Sequence, residues 1–146
     1  MRAIVYSETG EADVLRVVER PTPTPGRGEV LVRLHVAGVN PTDFKFRRGT
    51  GAGQPTPFPE VTPGQDGAGV VEAVGAEVDR VQVGDRVWVF LAGWQRAGGT
   101  AADYVAISAE RVVALPDHTS YDLGAFLGVP VLTAHLCLTA RPAGPR

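Results

Sequence analysis

Asn40 and Asp43 are the residues of this chain whose types and spacing combine most directly into chemistry. In Asn40-Pro41-Thr42-Asp43, asparagine suits a helix N-cap and proline the first helical position. The carboxylate three residues after the cap meets backbone N–H groups that have no partner inside the helix. As structure, this is a cap. As chemistry, it presents an amide and a carboxylate where a strand gives way to a helix. An amide can hold a carbonyl or another amide by neutral hydrogen bonds without drawing a charge into the site. Both readings hold together. The nearest place for a ligand is Pro63–Gly75, where Gly64, Gly67 and Gly69 let the backbone bend and be approached closely. With Val81–Phe90 and its Gly84-Asp85 turn signal, this stretch reads as consecutive strands over a concave, glycine-lined mouth.

Other chemistries find less support. Gly49-Thr50-Gly51-Ala52-Gly53 runs into a proline-rich loop instead of a helix that could hold a phosphate at its N-terminus. Gly64-Gln65-Asp66-Gly67-Ala68-Gly69 leads into a strand, the reverse of the strand-to-helix order of a dinucleotide fingerprint. Gly98-Gly99-Thr100 is too short to be informative. His35, His118 and His135 lie far apart, and no cysteine or histidine pair has ligand spacing, so no metal site is assigned. His35 reads as the polar side of a strand and His135 as a helix residue with a satisfied ring. Cys137, in an apolar helical stretch, reads as core.

The elements that must position these residues follow in order. Strands are predicted over residues 2–7 and 14–19, joined to the next by an extended stretch through Pro21, Pro23 and Pro25. Residues 29–38 alternate most cleanly. Val30, Val32, Leu34 and Val36 share one face, Leu31, Arg33 and His35 the other, with Leu31 the apolar exception. A short helix from Asn40 to Arg48, stopped by Gly49, comes next, then a loop over 49–59 expected to be mobile and exposed. Beyond the central strands and a 91–99 loop carrying Trp94, strands are predicted over 101–107 and 111–115, with a turn at 108–110. Thr119 or Ser120 then caps a helical stretch that Gly128 and Pro130 bend or divide.

Composition narrows the class. The 146 residues allow one modest core. Eighteen glycines and twelve prolines favour turns and short strands over long helices. A net charge of −2 disfavours nucleic-acid binding and offers no polybasic patch to a lipid surface. No apolar run is expected to reach the roughly 20 residues of a membrane span. One cysteine excludes an internal disulfide and fits a reducing compartment, so a cytoplasmic location is expected.

Taken in order, five motifs resemble a known family. They are Ala37-Gly38-Val39-Asn40-Pro41-Thr42-Asp43, Pro63-Gly64-Gln65-Asp66-Gly67-Ala68-Gly69-Val70-Val71, Gly84-Asp85-Arg86-Val87, Gly99-Thr100-Ala101-Ala102-Asp103-Tyr104-Val105 and Gly128-Val129-Pro130-Val131-Leu132-Thr133-Ala134. Together they are similar to quinone oxidoreductase-like members of the medium-chain dehydrogenase/reductase superfamily, over nearly the whole chain. The resemblance implies a mainly β fold with short helices: a GroES-like, partly open β-barrel over residues 1–120 serving as the substrate-side catalytic domain. A helical segment over 121–140 and a linker-like tail over 141–146 would follow, with the Rossmann domain absent.

The resemblance also implies function. Zinc-dependent relatives would carry cysteine near Asn40 and Gly-His-Glu at Gly64-Gln65-Asp66; without those ligands, zinc-independent hydride transfer from NADPH to quinones or α,β-unsaturated carbonyls is implied. Asn40, Asp43, Gln65 and Asp66 would be the catalytic set, and Asn40, Asp43 and Thr133 would meet the nicotinamide. Gln65 and Asp66 would floor the cleft. An aromatic often found two residues past the aspartate is replaced by Lys45, flanked by Phe44 and Phe46. Because the Rossmann domain would hold the pyrophosphate, the chain alone is expected to bind NADPH weakly and not to turn over. Its open edge and uncovered apolar surface imply a homo-oligomer or a partner domain. An enoyl-reductase piece of a biosynthetic enzyme and a stand-alone GroES-like binding module are the alternatives.

Overall fold

A computed structural model describes residues 1–49, 53 and 55–140. The chain folds mainly as antiparallel strands. A five-stranded sheet runs in the order β6-β3-β4-β5-β7, and β1 and β2 form a separate pair. These strands are β1 (Arg2–Val5), β2 (Arg16–Glu19), β3 (Glu29–Gly38), β4 (Asp66–Val74), β5 (Arg86–Val89), β6 (Tyr104–Ser108) and β7 (Val112–Ala114). The sheet stays open, with β6 and β7 as its edges, which is the partly open barrel expected.

β3 is central because its alternation lets it pair on both sides, with β4 along Val30–Gly38 and with β6 along Glu29–Arg33. Val30, Val32, Val71, Val87, Val89 and Ile107 close the core beneath it. Leu31 is buried as well. The register shift between Leu31 and Val32 re-aims the strand there, so the expected polar face begins only at Arg33.

Several strands are shorter than expected. The first stops at Val5, Tyr6 making only an isolated bridge to Val61. Ala12–Val14 is a 3₁₀ turn, so the second strand starts at Arg16. Residues 100–103 are not strand, because their amides are used elsewhere: Thr100 N–H donates to Gly64 O, Ala101 N–H to Pro63 O and Asp103 N–H to Arg2 O. Ala109–Arg111 is also a 3₁₀ turn, which shortens the last strand to Val112–Ala114. The expected loop over 49–59 and the 141–146 tail fall wholly or partly outside the described residues.

Helix α1 (Pro41–Arg48) begins and ends where the cap and Gly49 place it. The helical stretch is divided into α2 (Tyr121–Phe126), a π turn (Leu127–Val131) and α3 (Leu132–Thr139), kinked at Gly128 with φ −68° and ψ −115°. Ser120 Oγ caps α2 by accepting from Leu123 N–H at 3.2 Å. Gly124 and Ala125 bury α2 against the sheet, whereas α3 buries no residue. Two expectations are corrected here. Cys137 is exposed and not core, because α3 lies clear of the sheet. Tyr121–Thr139, at 19 residues, is long and apolar enough to cross a membrane by length and composition. The kink and the docking of α2 make it a bent covering segment in this fold.

Candidate functional site

The cap geometry forms as its residue types require. Asn40 sits in an extended conformation at the end of β3, and its backbone N–H donates to Asp43 Oδ2 at 2.7 Å. Asp43 N–H donates to Asn40 O at 3.0 Å. Asn40 is 3% exposed, so its side chain needs an internal partner, and its Nδ2 donates to Asp66 Oδ2 at 2.8 Å. The same oxygen accepts from the Val129 backbone N–H at 2.8 Å. Asp66 is completely buried. One carboxylate therefore joins β4, the α1 cap and the π turn.

Burial chiefly pushes the Asp66 carboxyl above the ordinary aspartate value of 3.8; the Asn40 and Val129 donors oppose this, and the Asp43 charge adds to it. Burial also raises Asp43, against the pull of the Asn40 and Gly64 amides. The Tyr6 phenol is raised by burial first and by Asp43 second, with Arg47 opposing.

Asp43 and Gln65 line a cavity of about 400 Å³ whose walls include Tyr6, Phe46, Phe58 and Trp94. Gly64 shapes its floor with φ +108°, where a Cβ would meet the Thr100 and Ala101 backbone nitrogens at 2.9 and 3.0 Å. Phe46 and Trp94 tilt against each other across the mouth, ring centroids 5.9 Å apart. This is a largely apolar, aromatic pocket with a few polar groups at its base, the usual build of a small-molecule site.

The five expected site residues are not gathered into this one space. Asp43 and Gln65 line it; Asn40 instead lines a smaller cavity of about 180 Å³ with Val36, Gly38, Phe126 and Pro130. Asp66 is buried and lines neither, and Thr133 is exposed on α3. Among the described residues, no group of three or more His, Cys, Asp or Glu side chains is placed to hold a metal ion. The aromatic walls were missed in sequence. Trp94 stood out only as a loop residue, and Tyr6 and Phe58 carry no spacing that ties them to Gln65.

An open antiparallel sheet with a glycine-lined mouth and a capped helix beside it is the architecture of the alcohol dehydrogenase GroES-like domain. Residues 26–117 match that family, and the chain belongs to it. Proteins similar to it include quinone oxidoreductases and an NAD-dependent alcohol dehydrogenase, the latter with a TM-score of 0.84 at 32% identity, covering 98% of this chain and 49% of its own. The quinone oxidoreductase of Lama guanicoe is 37% identical over 140 residues, covering 94% of this chain and 40% of that protein. A mycobacterial protein solved in complex with NADPH superposes with a TM-score of 0.85 at 34% identity, covering 100% of this chain and 43% of its own. Escherichia coli quinone oxidoreductase complexed with NADPH superposes at 0.82 with 26% identity, covering 95% and 40%. The chain spans about 40% of the length of the curated relatives it matches.

Proposed function

We propose that this chain is the acceptor-side part of an NADPH-dependent, zinc-independent reductase of quinones or α,β-unsaturated carbonyls. The observation that carries the reading is the aromatic cavity of about 400 Å³ with Asp43 and Gln65 at its base. Aromatic walls suit a flat conjugated ring, and the Gln65 amide and the Asp43 carboxyl suit a carbonyl or its reduced hydroxyl. Neutral amides at Asn40 and Gln65 are poor zinc ligands, and Asp66 is already occupied by two hydrogen-bond donors, which supports the metal-free reading.

The residues present fit only the nicotinamide end of the cofactor. Asn40 and Asp43 supply an amide and a carboxyl near the cleft, and Thr133 an exposed hydroxyl. Among the described residues, α1 opens on Pro41, which has no N–H to offer a pyrophosphate. Bound NADPH would supply a hydride. The chain's own part is to orient the acceptor against the aromatic wall, keep water from it and present polar groups to its oxygen. A partner over the exposed Leu132, Leu136 and Leu138 of α3 and a cytoplasmic location belong to the same proposal.

Amide NMR mapping of the ¹⁵N-labelled chain tests it. Added 9,10-phenanthrenequinone, which has no free quinoid carbon for the exposed Cys137 thiol to attack, should shift Gln65, Gly93 and Trp94. NADPH should bind weakly and shift Asn40, Asp43 and Thr133. Shifts by both ligands confined to the separate cavity around Arg27 and Arg80 would overturn the reading.

A further inference from the structure

Asp66 is placed differently from the rest of the candidate site. Its side chain reaches neither cavity, yet it is fully buried and its Oδ2 takes both the Asn40 side-chain amide and the Val129 backbone N–H at 2.8 Å. The other oxygen, Oδ1, has no hydrogen-bond partner among the described residues. It is pressed against Gly128, where a Cβ would collide with the carboxylate. Gly38 closes the opposite side, since a Cβ there would sit 3.2 Å from Asp66 Cβ. Gly128 and Gly38 hem the carboxylate in, and its two donors share one acceptor.

Asn40 carries this connection onward. Its side chain is tied to Asp66 and its backbone N–H to Asp43, which lines the aromatic cavity. A continuous path therefore runs from the π turn at Val129, through Asp66 and Asn40, to Asp43 at the cavity base. We propose that Asp66 is a positioning residue, clamping the helical segment and the Asn40 amide on one oxygen so that the seat of the segment sets the geometry at the base of the cleft. The proposal concerns the chain's own hydrogen bonds and stands independently of the reductase reading.

The geometry has a spectroscopic signature that simple packing lacks. Two donors on one titrating oxygen must report the same protonation event. Asp43 is the charge that bears on Asp66; β3 contributes Gly38 and the π turn Gly128 and Val129 at the contact, none of which titrates. In a pH titration of the ¹⁵N-labelled chain, the Asn40 side-chain amide and the Val129 backbone amide should shift with one common midpoint, above the ordinary 3.8. Asn40→Ala removes a donor that steadies the charged form. The Val129 midpoint should then rise further, and its amide should exchange with solvent about fivefold faster. In Asp66→Asn neither resonance should titrate in that range. Should that variant not fold, Asn40→Ala, which leaves the Asp66 carboxylate in place, decides alone. Separate midpoints for the two amides, or a Val129 midpoint indifferent to Asn40→Ala, would overturn the proposal.

Discussion

The guanidinium of Arg86 lies over the ring of Tyr121, 4.6 Å from its centroid, and its Nε donates to the tyrosine hydroxyl at 3.2 Å. The Tyr121 ring also stacks on His35, with centroids 4.4 Å apart. Arg86 further donates to the carbonyls of Pro116, Asp117 and Thr119 at 2.8, 2.7 and 2.6 Å. One side chain of β5 thus gathers the turn before α2 and the first residue of α2, fixing the entry of the helical segment onto the sheet. A planar fork can satisfy carbonyls in several directions at once, which an ammonium on a flexible stem cannot. Arg86→Lys should therefore cost about 1–2 kcal/mol of unfolding free energy. Denaturant titration measures the loss, and hydrogen exchange should show it concentrated in α2.

Gly64 is required by both its backbone and its surroundings. At φ +108° an L side chain is strained, and the Cβ of alanine would press on the backbone nitrogens of Thr100 and Ala101. Those two amides donate to Gly64 O and Pro63 O, so moving them breaks the seam that closes the cavity floor. Gly64→Ala should destabilise the chain by about 3 kcal/mol. A variant within experimental error of the parent in denaturant would refute this.

How far the sequence could be read depended on how local each interaction is. The α1 cap was legible because Asn40, Pro41 and Asp43 meet within four residues, and β3 because alternation repeats along one strand. The same locality explains the errors. Residues 100–103 look like strand but spend their amides on Gly64, Pro63 and Arg2, far away in sequence. Asp66 carried no sign that its partners would be Asn40 and a backbone N–H at Val129, 63 residues on. Cys137 follows an apolar pattern that ordinarily means burial, but α3 has no neighbouring element in the described structure to bury it. The family resemblance supplied the architecture; the aromatic cavity wall, built from four separate stretches of chain, came only from the fold.

Trp94 should separate ligand binding from stability. It is 42% exposed, and its ring makes a tilted contact with Phe46. Its loop is held by left-handed backbone at Leu91 and Gln95, with φ 51° and 57°, independently of the indole. Trp94→Ala should weaken 9,10-phenanthrenequinone binding about tenfold while changing unfolding free energy by no more than about 0.5 kcal/mol. Trp94→Phe should retain most of the affinity. Calorimetric titration reads both, and equal affinity in all three proteins would remove the indole from the site.

The buried carboxyl of Asp66 and the half-buried carboxyl of Asp43 give the chain an unusual dependence on pH. Asp43 and Asp66 are both raised above 3.8, so the folded state binds more protons than the unfolded state just above that value. The unfolding free energy then falls as pH rises from 3.8 through the folded values, because deprotonation leaves charge where water is partly or wholly excluded. Asp103 acts in the opposite sense. Its carboxyl is lowered chiefly by the Arg2 backbone N–H at 2.7 Å, so its stabilising contribution is present above 3.8 and is lost as pH drops through its depressed value. The two effects occupy different windows, and the decline above 3.8 belongs to Asp43 and Asp66. Asp66→Asn should make that decline shallower, and combining it with Asp43→Asn should flatten it. Denaturant midpoints measured from about pH 4 to pH 7 would show this directly; an unchanged slope in both variants would mean that neither carboxyl is raised by the fold.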